Sequence, residues 1–315
     1  MQHRVEELRM DFERPAFRAP RHPPELRGPQ QGCCGPRGVL LRLQRGAAPI
    51  AGTATAFRLP SLKNEIALNF STLFGEGADR YAAARPLYPK ALFDYIATQS
   101  PRRLAAWDCG TGNGQAAIGL AGYFERVEAT DISAEQIARA FAHPRVRYGV
   151  QPAETTDFAD AQFDVVNVGQ ALHWFELDAF WAEVRRVLKP GGLFVASGYR
   201  WSQVEPGIDA VIQRELLDLI LPYWPQNNRL VWNGYRDVTF PFERVSAPAL
   251  EMVNFWNLDQ LFDYFLTWSG TRLAIAELGP EFVERARQAV AGPWGGAAVK
   301  RAVVTPLAVL AGRRN

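Results

Sequence analysis

One stretch constrains this chain more than any other: Leu104 to Phe124, LAAWDCGTGNGQAAIGLAGYF. A short apolar run stops at Asp108 and enters a loop with Gly at 110, 112 and 114. Apolar residues then resume at helical spacing as Ala117, Leu120, Ala121 and Phe124. The pattern predicts a strand, a tight glycine loop and a helix. Glycine lets such a loop reverse with φ > 0 and lets a ligand approach bare backbone, so the loop is expected to open onto a ligand.

Charge decides between ligands. Gly112, Gly114 and Ala117 satisfy the G-x-G-x-x-G/A dinucleotide fingerprint, which keeps a nicotinamide-dependent oxidoreductase in consideration. A dinucleotide, however, sets a pyrophosphate at the helix start, where Asp108 would be a poor neighbour. S-adenosyl-L-methionine carries an ammonium, a sulfonium and one carboxylate, and an acid beside the loop attracts it. DCGTGNG resembles the first motif, acid-x-G-x-G-x-G, of the class I S-adenosylmethionine-dependent methyltransferases. The resemblance implies this cofactor, with Asp108, Gly110, Gly112 and Gly114 around it.

The following segments keep the same alternation. A second strand leads to Asp131, then Ile132 and a helix with Ser133 as N-cap. Asp131 stands about 20 residues past the loop, where an acid can accept from ribose hydroxyls; Ile132 would lie against adenine. Arg145 to Gly149 is expected as the third strand, and the resemblance places Ala153 and Glu154 beside the adenine. Phe163 to Val168 reads as a buried fourth strand, and its carboxyl end should face the transferable methyl. Gly169 there allows close backbone approach. Gln170, His173 and Trp174 are the catalytic candidates, as hydrogen-bond donor, base and cavity wall; a packed histidine is the ordinary alternative. The [N/D/S]-P-P-[Y/F/W] box of enzymes that methylate amino groups of DNA bases or glutamine is missing from this strand end. VRRVLKPGGLFVASG, from Val184 to Gly198, is a further hallmark of the family, with KPGG turning helix into strand.

Three outer segments complete the reading. Tyr81, Arg85, Pro86, Tyr88 and Pro89 resemble the family's Y-x-x-x-R-P-x-Y-P stretch over the cofactor cleft. Arg85, with Tyr81 beside it, is then a candidate for the methionine carboxylate, a solvated Arg and a core Tyr being the bland alternatives. Amphipathic helices between about 258 and 296 are too long for a hairpin loop and should form a helical lid. Tyr264, Trp268 and the HWF and FPFERV stretches look like the trans-aconitate methyltransferase group, although that group usually has Gln-Trp where this chain has His173-Trp174. Tyr88, Tyr264 and Trp268 would bound a substrate pocket, and Arg200 and Arg272 would orient a carboxylate acceptor; core packing and surface exposure are the alternatives.

The expected fold is α/β: a doubly wound, Rossmann-like, seven-stranded and mostly parallel sheet with an antiparallel last strand and the lid. Residues 1–65 read as a disordered, basic, Arg/Pro-rich extension, and 66–315 as the methyltransferase domain. Through Glu65 the chain holds 11 Lys and Arg against 6 Asp and Glu; the totals of 35 and 33 leave 24 against 27, so the remainder is mildly acidic. A net charge of +2 does not suggest nucleic acid as a partner. No apolar run reaches membrane-spanning length, and no signal-peptide core is seen at the N-terminus. The three cysteines, two of them adjacent at Cys33 and Cys34, build neither a disulfide framework nor a zinc spacing, so no metal is expected and a cytoplasmic setting is. The expected activity is O-methylation of a carboxylate on a small molecule by a monomer or weak homodimer. The competitors are the oxidoreductase and a non-catalytic protein that binds the same cofactor.

Overall fold

A computed structural model describes residues 87–315. The expected extension, Cys33, Cys34, Tyr81, Arg85 and the helix before Pro86 lie outside the described residues.

The chain alternates strands and helices as the hydrophobic periodicity requires. α1 (Lys90–Gln99) starts after Pro89 and buries Leu92, Phe93 and Ile96. β1 (Ala105–Cys109) is buried throughout, and α2 (Gln115–Ala121) follows the glycine loop. β2 (Arg126–Asp131) leads to α3 (Ala134–Ala138), whose N-cap Ser133 accepts from the Gln136 N–H. β3 (Val146–Val150), β4 (Phe163–Gly169), α4 (Leu177–Val187) and β5 (Leu188–Tyr199) complete the parallel part. β1 does not stop before Asp108: parallel pairing with β2 continues to Cys109 opposite Thr130, which carries the acid inside the sheet. The KPGG residues bulge out of β5, because Phe163 pairs with Leu188 and Val165 with Leu193.

Three more strands close the sheet. β6 (Glu243–Arg244) and β7 (Leu250–Trp256) both pair antiparallel with β8 (Arg301–Arg313), which itself lies antiparallel to β5. The order is β3-β2-β1-β4-β5-β8-β6, with β7 also on β8. Where seven strands are expected, the described residues form eight, in seven positions. The strand expected at Leu250 to Trp256 is β7, and the short β6 is added before it; Pro248, between the two, has no N–H to give to the ladder. Buried Asp164 ties the sheet's lower end together: one oxygen accepts from the N–H groups of Leu104 and Ala105, and the other pairs with Lys189 at 2.7 Å.

The helices beyond β5 build a cap with its own apolar core. α5 (Pro206–Ile212), a wider helical turn over Gln213–Leu217, α6 (Asp218–Ile220) and α7 (Arg229–Trp232) precede β6. α8 (Leu258–Leu266), α9 (Ser269–Leu278) and α10 (Glu281–Trp294) follow β7. Ile208, Ile212, Leu216 and Ile220 share one buried cluster with Leu258, Phe265, Phe282 and Trp294. The lid expected from 258–296 alone is thus only half of the cap; neither segment could bury its apolar stripe without the other.

Candidate functional site

The loop after β1 turns through three glycines with φ of +67° at 110, +56° at 112 and +88° at 114, a region that favours glycine. Close approach matters at Gly110, where a Cβ would come within 2.6 Å of the Ala171 side chain on the loop after β4. The loop is fastened to the strand tips. The Thr111 N–H donates to the Thr130 carbonyl at 2.9 Å, and the Gly112 N–H to Asp131 Oδ2 at 2.8 Å. The other Asp131 oxygen accepts from the Ser133 N–H at 2.9 Å, so this half-buried carboxylate joins the glycine loop to the start of α3.

Asp108 differs from the open acid that its position in the sequence suggests. It is wholly buried, and its oxygens accept from the Thr111 hydroxyl at 2.5 Å and the Asn167 amide at 2.7 Å. Burial pushes its carboxyl up from 3.8 to about 6, against the lowering effect of those hydrogen bonds and with a smaller push from Asp131. Asp131 is raised as well, first by desolvation. Two carboxylates that feel one another, one under the glycine loop and one at its rim, make this end of the sheet negative. Neither forms a salt bridge among the described residues.

The remaining strand ends supply the walls. Ile132, just past Asp131, is 79% exposed, an apolar side chain presented at a strand tip. Ala153 is buried, and Glu154 accepts from the Glu176 N–H at 3.0 Å, which draws the loop after β3 toward the start of α4. At Gly169 a Cβ would come within 2.7 Å of the Tyr88 hydroxyl, so the missing side chain makes room for that phenol. The Tyr88 and Tyr199 rings lie 5.5 Å apart. Burial, reinforced by Tyr199 and Asp108, holds the Tyr88 hydroxyl protonated well above its ordinary range.

The catalytic candidates separate on inspection. Gln170 takes a φ of +55°; its N–H donates to the Ser197 carbonyl at 2.7 Å, and its side-chain oxygen accepts from the Tyr199 N–H at 2.6 Å. That oxygen therefore closes the β4 and β5 ends against each other. His173 is buried in the short turn Leu172–Trp174, with its carbonyl accepting from the Asn227 amide at 2.6 Å and its ring 4.9 Å from that of Trp174. Arg200 follows β5, its N–H bonded to the Pro306 carbonyl, and Arg272 lies in the first turn of α9. Tyr264 is 2% exposed inside the cap core, against Trp256 and Trp268. Trp268 joins Trp201, Trp224 and Trp232 in a cluster with centroid separations of 4.9 to 5.9 Å.

The structure therefore brings Tyr88, Asp108, the glycines, Asp131, Ile132 and Gly169 to the carboxyl ends of β1, β2 and β4. Asn167, Thr111, Tyr199, Trp201 and Asn227 escaped the sequence reading. Only Asn167 had a local signal, as a polar residue inside the apolar run FDVVNV.

Comparison with known proteins agrees with this arrangement. Residues 107–196, from β1 through β5, match the family model described as a methyltransferase domain. A solved structure from Anaeromyxobacter dehalogenans, provisionally assigned as a type II methyltransferase, is 42% identical with a TM-score of 0.70, over 73% of this chain and 98% of that one. A methyltransferase assigned in Dictyostelium discoideum is 28% identical over 205 residues, 64% of this chain and 78% of the relative. An uncharacterized methyltransferase of Mycobacterium tuberculosis is 28% identical over 226 residues, 71% of this chain and 87% of the relative. Because the similarity to the first of these runs along nearly that protein's whole length, through the very strands that carry the glycine loop and the two acids, this chain belongs to the class I S-adenosylmethionine-dependent methyltransferases.

Proposed function

We propose that the enzyme methylates an oxygen of a small carboxylate, in the manner of the trans-aconitate methyltransferase group that its sequence resembles. One observation carries this reading: the Tyr88 phenol lies beside Gly169, at the end of β4, packed on Tyr199 and held protonated. Such a phenol donates a hydrogen bond to an oxygen nucleophile but takes no proton from it. A carboxylate suits that lining because it is already ionised at neutral pH and needs no base.

The site fits the methyl donor on its own features. The glycine loop bares backbone where a Cβ would clash, the two acids favour a cation, and Ile132 offers an apolar face. In this reading Asp131 accepts from the ribose hydroxyls, Ile132 and Ala153 flank the adenine, Glu154 accepts from its amino group, and Arg85 with Tyr81 holds the methionine carboxylate. The donor supplies an activated methyl on a good leaving group. The protein's share is to hold the acceptor oxygen in line at about 3 to 3.5 Å and to keep water out. His173 and Trp174 wall that space, and Arg200 supplies positive charge beside Tyr199.

The test is transfer of labelled methyl to a panel of organic acids, phenols and amines, with calorimetry of S-adenosylhomocysteine and NAD(H). A volatile, base-labile product from an acid is expected. A base-stable product from a phenol or amine would instead make His173 the base and overturn the ester assignment.

A further inference from the structure

Two buried donors of the cap have no hydrogen-bond partner among the described residues, and both lie at the start of α9. The Thr271 hydroxyl, on a residue with 0% exposure, and the Trp224 indole N–H have no hydrogen-bond partner among the described residues. Thr271 belongs to the first turn of α9, a helix of 10 residues, and any Cβ at its neighbour Gly270 would overlap the Trp224 indole nitrogen. Glycine at 270 thus lets the indole N–H stand against the helix start. The first-turn N–H groups of a helix lack intrahelical partners and carry its positive end. Buried donors are normally satisfied, so a pair left open beside a helix N-terminus marks a place for an anionic oxygen acceptor.

The location connects this turn to the transfer site. Trp224 packs 5.9 Å from Trp201, which lies two residues beyond Tyr199; Tyr199 packs on Tyr88, and Tyr88 covers Gly169. Trp268, the N-cap of α9, packs on both Trp201 and Trp224. An aromatic wall therefore runs from the end of β5 to the helix start.

We propose that the amino-terminal turn of α9, with the Trp224 indole N–H and the Thr271 hydroxyl, binds a carboxylate group of the methyl acceptor. This rests on the reading of the acceptor as a small carboxylate. Two neutral donors and a helix end hold such a group without a buried ion pair, a grip that turnover can release.

The test uses the full chain saturated with S-adenosylhomocysteine, titrated calorimetrically with succinate, benzoate, trans-aconitate and inorganic phosphate, alongside methyl-transfer kinetics with the three acids. Thr271→Val removes the hydroxyl at constant volume and Trp224→Phe removes the indole N–H; thermal unfolding checks that each variant folds, and Thr271→Val alone suffices if the other does not. At least one acid should bind, with Thr271→Val weakening it and raising its KM about tenfold. kcat and S-adenosylhomocysteine affinity should stay within twofold. If an acid is methylated and Thr271→Val leaves its KM unchanged, this site is wrong and the ester assignment survives. If an acid binds with loss in Thr271→Val but none is methylated, the site stands and the ester assignment falls. Phosphate binding as tight as that of the acids would reduce the site to a general anion trap and overturn the proposal, and absence of both binding and methylation would remove both readings.

Discussion

Replacing Asp108 by Asn should make the protein more stable and a poorer binder of its methyl donor. The wild-type carboxyl is wholly buried and raised from 3.8 to about 6. A raised acid pKa means that the folded state holds the proton more tightly than the unfolded one. Folding is thus favoured below the unfolded value near 3.8, and that advantage is lost as pH rises through the folded value near 6. Roughly two pKa units correspond to about 3 kcal/mol of burial cost once the group is ionised at neutral pH. The neutral amide of the Asp108→Asn variant would carry no such cost. That amide also has an acceptor within reach, because Asn167 Oδ1 is unpartnered and a flip of the Asn167 amide would turn it toward position 108, while the Thr111 hydroxyl can still donate to the remaining oxygen. Urea unfolding at pH 4 to 8 should show variant and wild type nearly equal at pH 4, with the variant ahead by about 1 to 3 kcal/mol at pH 8. Calorimetry at pH 8 should show S-adenosylmethionine bound about tenfold to a hundredfold more weakly, and S-adenosylhomocysteine, whose sulfur is uncharged, affected less. A stability difference that does not change with pH would refute the burial cost. Unchanged S-adenosylmethionine affinity would refute the use of the charge.

Other changes probe the same frame. Asp131→Ala strands the Gly112 and Ser133 N–H groups and removes the rim acid, so S-adenosylhomocysteine affinity should fall by about 1 to 3 kcal/mol in calorimetry. Gly114→Ala meets both a φ of +88° and the Tyr148 hydroxyl, which donates to the Phe141 carbonyl at 2.8 Å; denaturant unfolding should show a loss of about 1 to 3 kcal/mol, partly recovered by Tyr148→Phe. Burial alone would raise the Glu183 carboxyl, but hydrogen bonds from Arg186 and Thr156 outweigh it and hold the group below 4.5. Its contribution is therefore present above the unfolded value and lost as pH falls through the folded one. Glu183→Gln should destabilise at pH 7 by about 1 to 3 kcal/mol, with the gap closing in acid, and should loosen the loop that carries Glu154.

The repeated strand-loop-helix order, the glycine loop and the acids at 108 and 131 were all legible in the residues, because each is written in local periodicity or in a residue type that few backbone conformations demand. The Ser133 N-cap, the buried face of α1 and the amphipathic α4 were legible for the same reason. Partnership across the chain was not. Nothing near Asp108 announces that Asn167, on a strand 59 residues later, will occupy one of its oxygens, or that the Gln170 side chain will bond the end of β5.

Sequence by itself determined the alternation of elements and the positions where backbone must be bare or acidic, since those depend on neighbours within a turn or a strand. Tertiary structure alone decided the added short strand β6 on the edge of β8 and the sharing of the cap between two segments. It also turned Tyr264 into a core residue and set Trp224 against Gly270. These outcomes depend on which distant surfaces meet, and hydrophobic burial, being non-directional, specifies that an apolar face must be covered but not by what.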